Sequence, residues 1–243
     1  NWHYSQSNDY KSICDKLFKQ EQPYTSTEQL PFLPVSVFKN HSLKSISDQD
    51  VFKVLTSSGT TGQAVSKIYL DKETAKLQTT ALSKIITHII GSARLPMLII
   101  DSKAIFANKS TFSARGAGIL GLSVYGKDHH YSLDENFEPD EVVLSSFLEK
   151  YNGQPILIFG FTFMVWQYLF QAKLKNKYDL SKAVLFHSGG WKKLIDLAVD
   201  NQTFRLALSH KFGLNQIYNF YGMVEQTGSV FLENSDGYLH CPN

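Results

Sequence analysis

VFKVLTSSGTTGQAVSKIYL, residues 51–70, sets a polar loop between two short apolar runs. Val51, Phe52, Val54 and Leu55 lead in; Lys67, Ile68, Tyr69 and Leu70 lead out. The eleven residues between them, Thr56 to Ser66, are almost all small, hydroxylated or glycine. Gly59 and Gly62 let the backbone turn through positive φ and bring N–H groups close to a ligand. Thr56, Ser57, Ser58, Thr60 and Thr61 contribute five hydroxyls, and Lys67 follows with a positive charge. Successive N–H groups, hydroxyls and one lysine make a cradle for an anion, above all a polyphosphate.

The phosphate loop GxxxxGK[ST] is a different device, because it opens a helix. Here Ser66 to Leu70 is β-branched, aromatic and alternating, so the pattern predicts a loop that joins two strands. A polar hairpin loop with no ligand is the competing reading. The chemistry of the loop alone leaves both open.

The bulk composition narrows the classes. With 243 residues, 43% hydrophobic and 19% charged, the chain has the make-up of a globular protein with one large domain or two small ones. A net charge of +2 without any Lys/Arg block is too mild for a nucleic-acid footprint. Aromatic residues make up 13% of the chain, enough for large apolar pockets or for a generous core. Two cysteines, Cys14 and Cys241, allow at most one disulfide and no metal cluster, which points to a reducing cytoplasm. No apolar run approaches a membrane span and no signal peptide opens the chain, so the expectation is no transmembrane segment. The first residue is Asn rather than Met, as in a fragment.

Periodicity then orders the rest. Residues 1–50 read as a helical and proline-marked entry segment, with Tyr10, Ile13, Leu17 and Phe18 on one helical stripe and Cys14 buried beside it. Pro31 and Pro34 force extended backbone, and Val35 to Phe38 reads as a short edge strand. Asp71 is placed to cap a helix running to Ile90. Pro96 to Ile100, Pro155 to Phe159 and Ala183 to His187 are short, almost wholly apolar strands of the kind covered on both faces. A helix is expected from Glu138 to Tyr151 with Val142, Val143, Phe147 and Leu148 inward, and another after Phe163 to Leu174. The glycines of ARGAGILGL miss the spacing of a dinucleotide fingerprint, and tight packing is the expected reason for them. His129 and His130 read as a solvated loop rather than a zinc site.

Strand and helix alternate, which predicts an α/β fold of layered, mainly parallel sheets with flanking helices. Residues 51–243 would form its α/β core. Ligands in such sheets gather at the carboxyl ends of the strands. Three segments leave those ends: Gly160, Phe161 and Phe163; Ser188, Gly189 and Gly190; and Tyr221 to Gly228, reading YGMVEQTG. Two consecutive glycines permit a flat ring to approach the backbone, although a simple strand-to-helix turn uses them equally well.

Taken in order, TSSGTTGQAVSK, SGG and YGMVEQTG resemble three motifs of the adenylate-forming superfamily of acyl-CoA ligases and luciferases. With FGFTF and HSGGWKK, the chain most resembles the acyl-protein synthetase (LuxE) family, over roughly Leu30 to Leu239. Members supply activated fatty acid to a reductase in luminous and non-luminous bacteria. The resemblance implies carboxylate activation by ATP to an acyl-adenylate with release of pyrophosphate, then acyl transfer to a protein thiol. It assigns the ATP phosphates to Thr56, Ser57, Ser58, Gly59, Thr60, Thr61 and Gly62 with Lys67. Adenine falls to Ser188, Gly189, Gly190, Tyr221 and Gly222, and Mg²⁺ to Glu225. Lys67 and Glu225 would be the catalytic residues.

An acyl pocket would be lined by Gly160, Phe161 and Phe163, aromatics that serve a core equally well. Val224 departs from the YGxTE pattern by lacking a hydroxyl, and Thr227 is the neighbour able to supply one. The ribose-binding aspartate and the C-terminal lid of such enzymes would lie beyond Asn243, so the chain reads as an incomplete large domain spanning 1–243. Cys241 reads as a buried strand cysteine rather than as an acyl acceptor. Rival readings are a phenylacetate-CoA-ligase-like acyl or aryl ligase and a nucleotide-binding module without turnover. A hydrolase using Ser57 or Ser58 with His187 lacks a GxSxG elbow.

Overall fold

The computed structural model describes residues 2–18, 26–57, 64–106, 114–174, 176–191, 196, 198–234 and 236–241. The chain forms two compact units, Asn1–Ser83 with Gly222–Ser229 and Lys84–Tyr221 with Val230–Asn243.

The first unit opens with α1 (Trp2–Gln6) and α2 (Asn8–Leu17). The Ser7 hydroxyl caps α2 by accepting from the Tyr10 N–H. Cys14 is buried as the stripe requires, but Leu17 is 69% exposed. The reason is positional: Leu17 is the last helical residue, and the chain turns extended at Phe18. The expected strand over 35–38 is instead α3 (Val37–Asn40). Its N–H groups at Val37, Phe38 and Lys39 reach back three residues to Pro34, Val35 and Ser36. Pro34 has the fixed φ of a helix entry and, at that position, gives up no needed donor. β1 (Lys53–Thr56) and β2 (Lys67–Leu70) pair antiparallel, from Lys53↔Leu70 to Thr56↔Lys67. α4 (Lys72–Ile90) follows, and its cap is the expected Asp71, whose carboxylate accepts the Thr74 N–H at 2.7 Å.

The second unit carries the parallel sheet. Its elements are β3 (Leu95–Ser102), α5 (Ala114–Ser123), β4 (Gly126–Leu133), α6 (Glu141–Lys150) and β5 (Leu157–Phe161). Then come α7 (Thr162–Val165), a π-helical turn over Trp166–Phe170, β6 (Val184–Ser188) and α8 (Asn201–Phe212). β7 (Gln216–Tyr221), β8 (Phe231–Glu233) and β9 (Leu239–His240) complete it. Among the described residues the sheet has seven strands in the order β4-β3-β5-β6-β7-β8-β9. The first five are parallel, and β8 and β9 add on antiparallel.

The apolar runs sit where their composition demands. Met97 to Ile100, Ile156 to Phe159 and Ala183 to Phe186 are buried throughout. Phe147 and Leu148 of α6, Trp166 and Leu169 of the π-turn, and Phe204 and Leu208 of α8 cover one side of the sheet. Val142 faces solvent instead of this core. His129 and His130 lie in the edge strand β4 rather than in a loop, because residues 126–133 find parallel partners along β3. The helix expected to reach Leu174 stops at Phe170. There the Lys211 ammonium donates to the carbonyls of Phe170 and Ala172 and ends the winding. Gly118 packs as expected, since a Cβ there would lie 3.2 Å from the Phe159 ring, but Gly121 is exposed and packing does not require its glycine. Gly213 closes α8 with φ +69°, in the left-handed cap. Neither Cys14 nor Cys241 forms a disulfide; Cys14 is buried, whereas Cys241 is exposed just past the end of β9 rather than buried within a strand.

Candidate active site

In the first unit the glycine-rich stretch does join two strands, as its pattern requires. Thr56 ends β1 exposed, and Lys67 opens β2 exposed, directly across the ladder from it. The neck of the loop is closed by two bonds. Ser57 N–H donates to the Ser66 carbonyl at 3.2 Å, and Ser66 N–H donates to the Ser57 hydroxyl at 2.9 Å. Ser57 therefore spends its acceptor on the loop itself, while the fully buried Ser66 hydroxyl has no hydrogen-bond partner among the described residues. Ser58, Gly59, Thr60, Thr61 and Gly62 lie outside the described residues.

Glu225 belongs to the same unit. It sits half-buried in a tight turn, in which the Gln226 N–H returns to the Met223 carbonyl and Gly228 takes φ +89°. Glu225 and Thr227 line a cavity of about 590 Å³ together with Ile68, Leu70, Asp71 and Thr74. The fold thus brings the carboxylate to the strand that leaves the loop. A carboxylate and a hydroxyl are the donors a hard cation takes, and Mg²⁺ is content with one carboxylate plus phosphates and waters. Among the described residues no set of three or more His, Cys, Asp or Glu side chains is grouped to hold a metal. Glu225 and Thr227 are the residues here whose oxygens would suit such a cation.

In the second unit three sequence segments meet at one edge of the sheet. β5 pairs with β6 up to Phe161↔Ser188, and β6 pairs with β7 up to His187↔Asn219. The carboxyl ends of neighbouring strands therefore deliver Phe161, Ser188–Gly190 and Tyr221 side by side. Gly189 has φ +80°, and a Cβ on it would lie 2.9 Å from the Phe161 ring. Gly190 has open space above it, so a flat group can approach its backbone. Tyr221 ends β7 with its side chain 46% exposed, and Gly222 is exposed after it.

The acyl-pocket candidates differ among themselves. Gly160 is buried, and a Cβ on it would meet Ile100 at 2.8 Å and Val165 at 2.9 Å. Its glycine is thus explained by packing between β3 and α7. Phe161 and Phe163 are half-buried and lean on the central core cluster.

Directly beneath Ser188 lies a polar pair to which the sequence reading gave no part in the nucleotide site. His187 is 1% exposed, and its Nδ1 is 2.9 Å from the Thr162 hydroxyl. That hydroxyl also lies 3.3 Å from the Ser188 carbonyl as its donor. Burial, helped by the charge of Arg205, pushes the imidazole down to about 3 from its ordinary 6.5. His187 is therefore a weak base sealed from solvent, which argues against it as the general base of a hydrolase. An apolar strand ending in His was the available sequence signal.

Two further buried carboxylates also escaped the pattern. Asp101, at the carboxyl end of β3, holds Arg115 through two bonds at 2.9 and 2.5 Å. Glu233 on β8 accepts from Asn201 and lies 3.6 Å from Arg205. Both partners are far away in sequence, so only folding reveals the pairs.

Comparison with known proteins follows the same lines. A long-chain-fatty-acid–luciferin-component ligase of Aliivibrio fischeri is 22% identical, over 99% of this chain and 64% of its own length. The protein of that name from Vibrio harveyi is 22% identical, over 97% and 62%. The chain spans less than two thirds of the length of these curated relatives. Among solved structures, an open conformation of 2-hydroxyisobutyryl-CoA ligase with 2-HIB-AMP and CoA superposes with TM-score 0.63 at 12% identity, over 99% of this chain and 51% of that one. The same ligase in its thioesterification state gives 0.61 at 14% identity, over 99% and 50%. These likenesses show a shared fold. The family model described as acyl-protein synthetase, LuxE, matches residues 1–241, and the chain belongs to that family.

Proposed function

We propose that the chain is the nucleotide-binding part of an ATP-dependent ligase that activates a long-chain fatty acid and passes the acyl group to a protein thiol. A carboxylate oxygen attacks the α-phosphorus, the bond to the bridging β-oxygen breaks, and pyrophosphate leaves. The thiol sulfur then attacks the acyl carbon of the adenylate and AMP departs. The protein supplies position and charge neutralisation for these displacements rather than covalent chemistry on ATP.

In this reading the hydroxyls and N–H groups of residues 56–62 and the Lys67 ammonium hold the phosphates. The base lies on the Ser188–Gly190 backbone against Tyr221, with Gly222 giving it room. Glu225 would hold Mg²⁺, which neutralises phosphate charge when bound, and Thr227 supplies the hydroxyl that Val224 lacks. Phe161 and Phe163 border the acyl group. An acyl reductase is the partner such an enzyme would serve, in the cytoplasm.

One observation carries the reading beyond family membership. β6 and β7 are adjacent and parallel, so the SGG and Tyr-Gly motifs, about thirty residues apart in sequence, share one edge at the place where α/β sheets bind ligands. The test is carboxylate-dependent ATP–pyrophosphate exchange by the full-length protein over a panel of fatty acids. Exchange that requires a fatty acid and falls at least 100-fold in Glu225→Gln is the expected result, the scale on which loss of a group that stabilises transition-state charge is felt. Absence of exchange with every acid, alongside measurable ATP binding, would leave a nucleotide-binding module in its place.

A further inference from the structure

We propose that Thr162 and His187 are positioning residues that set the nucleotide-base edge of the site by holding the Ser188 carbonyl from below. The inference rests on reading Ser188–Gly190 as that edge.

Thr162 opens α7 and is buried, with its hydroxyl between two groups of β6. The His187 Nδ1 is 2.9 Å away on one side and the Ser188 carbonyl 3.3 Å away on the other. A hydroxyl has a single proton to give. If it goes to the Ser188 carbonyl, His187 must carry its proton on Nδ1 and donate to the threonine oxygen. That arrangement makes both bonds. The opposite tautomer spends the threonine proton on His187 and leaves the Ser188 carbonyl without this donor. It also buries an Nε2–H with no acceptor, since Nε2 has no hydrogen-bond partner among the described residues.

The first arrangement leaves only a bare Nε2 lone pair in the interior, which is the smaller loss. The imidazole is held in place by the Phe204 ring, with centroids 4.7 Å apart. A buried histidine that titrates out of reach of solvent and satisfies only one nitrogen is an expensive way to fill a core. Its one polar contact runs through Thr162 to the peptide that precedes the two glycines.

Above the carbonyl, Ser188 is still in register with Phe161 of β5, and the Phe161 ring lies where a Cβ of Gly189 would stand. Gly189 is in the left-handed region and Gly190 has open space around it, so neither has a side chain to anchor the turn. Trp191 then packs edge-on to Trp166 at 5.8 Å, securing the far side. The peptide of Ser188 is thus the near anchor of a glycine bridge, and the Thr162 hydroxyl holds its carbonyl from below, beside the β5–β6 ladder.

The test uses the full-length protein with ATP affinity measured by calorimetry, together with the KM for ATP and kcat of exchange. Thr162→Val removes the hydroxyl at nearly constant volume. It should weaken ATP binding about five- to tenfold, the worth of one buried hydrogen bond, and raise KM with kcat held within about twofold. Thr162→Ser should restore wild-type affinity. A folded Thr162→Val that binds ATP like wild type would overturn the proposal.

Should that variant not fold, a second pair carries the same question. His187→Asn keeps an N–H near the position of Nδ1 and should bind ATP like wild type, whereas His187→Leu should show the loss. Equal affinity in both would again overturn it. ATP binding that follows this pattern in a protein without carboxylate-dependent exchange would sink the ligase reading and leave the positioning role standing. A wild-type protein that binds no ATP would sink both.

Discussion

At the scale of the residue, two glycines of the candidate site answer to different constraints. Gly160 is glycine because Ile100 and Val165 leave no room for a Cβ, a requirement of packing. Gly189 is glycine because its φ is +80° and because the Phe161 ring occupies the place of a Cβ, directly beneath an open surface. Gly189→Ala should therefore cost about 1–2 kcal/mol from the left-handed backbone alone. It should also displace Phe161 or the turn and raise the KM for ATP. Urea unfolding read together with exchange kinetics checks both effects, and an unchanged KM would separate this glycine from the nucleotide site. Thr227, three residues after Val224, lines the cavity that Glu225 lines.

At the scale of the element, the end of the π-helical turn depends on a side chain from another helix. Trp166 stacks on Phe170 with ring centroids 4.3 Å apart, and the Lys211 ammonium of α8 takes the carbonyls of Phe170 and Ala172. Partial burial holds this lysine below its ordinary value. Lys211→Met would keep most of the apolar stem and leave those carbonyls without their donor. A loss of about 1–2 kcal/mol is expected, read as a lower urea midpoint at unchanged slope. The sequence pattern, which saw apolar residues continuing to Leu174, had no means of finding this stop. The same limit explains Val35 to Phe38, where β-branched residues suggested a strand and the turn bonds begun at Pro34 wound a helix.

At the scale of the whole molecule, the acid limb of stability follows from the buried imidazole. His187 falls to about 3 when folded against 6.5 ordinarily, so the unfolded chain binds the extra proton between those values. Stability should be complete above about pH 6.5 and decline as the pH drops towards 3, by up to about 1.4 kcal/mol per unit. The helix-capping carboxylates Asp71 and Asp200, and Asp179 in its turn with Ser181, are lowered by backbone hydrogen bonds from the usual 3.8, so their contribution is lost only below that value. Urea midpoints at about pH 7 and about pH 5 should therefore differ through His187. The difference should shrink in His187→Asn, and an equal slope in both proteins would refute the assignment.

Local chemistry was enough to announce much of this protein. Strands buried on both faces are written as continuous apolar runs, a loop of glycines and hydroxyls is written as such, and caps such as Asp71 and Gly213 carry their own residue types. The parallel α/β sheet, the hairpin around residues 57–66 and the order of the three motifs were legible for that reason. What only tertiary structure decided are relations between residues distant along the chain. The adjacency of β6 and β7 sets SGG beside Tyr221, and Thr162 meets His187 across 25 residues. Asp101 likewise finds Arg115, and Lys211 finds the end of the π-turn across 41 residues. Periodicity reports which face of an element is apolar, and it holds no information about which buried polar group will stand opposite another. Those pairings arise when strands align in register, and they position the groups that the motifs name.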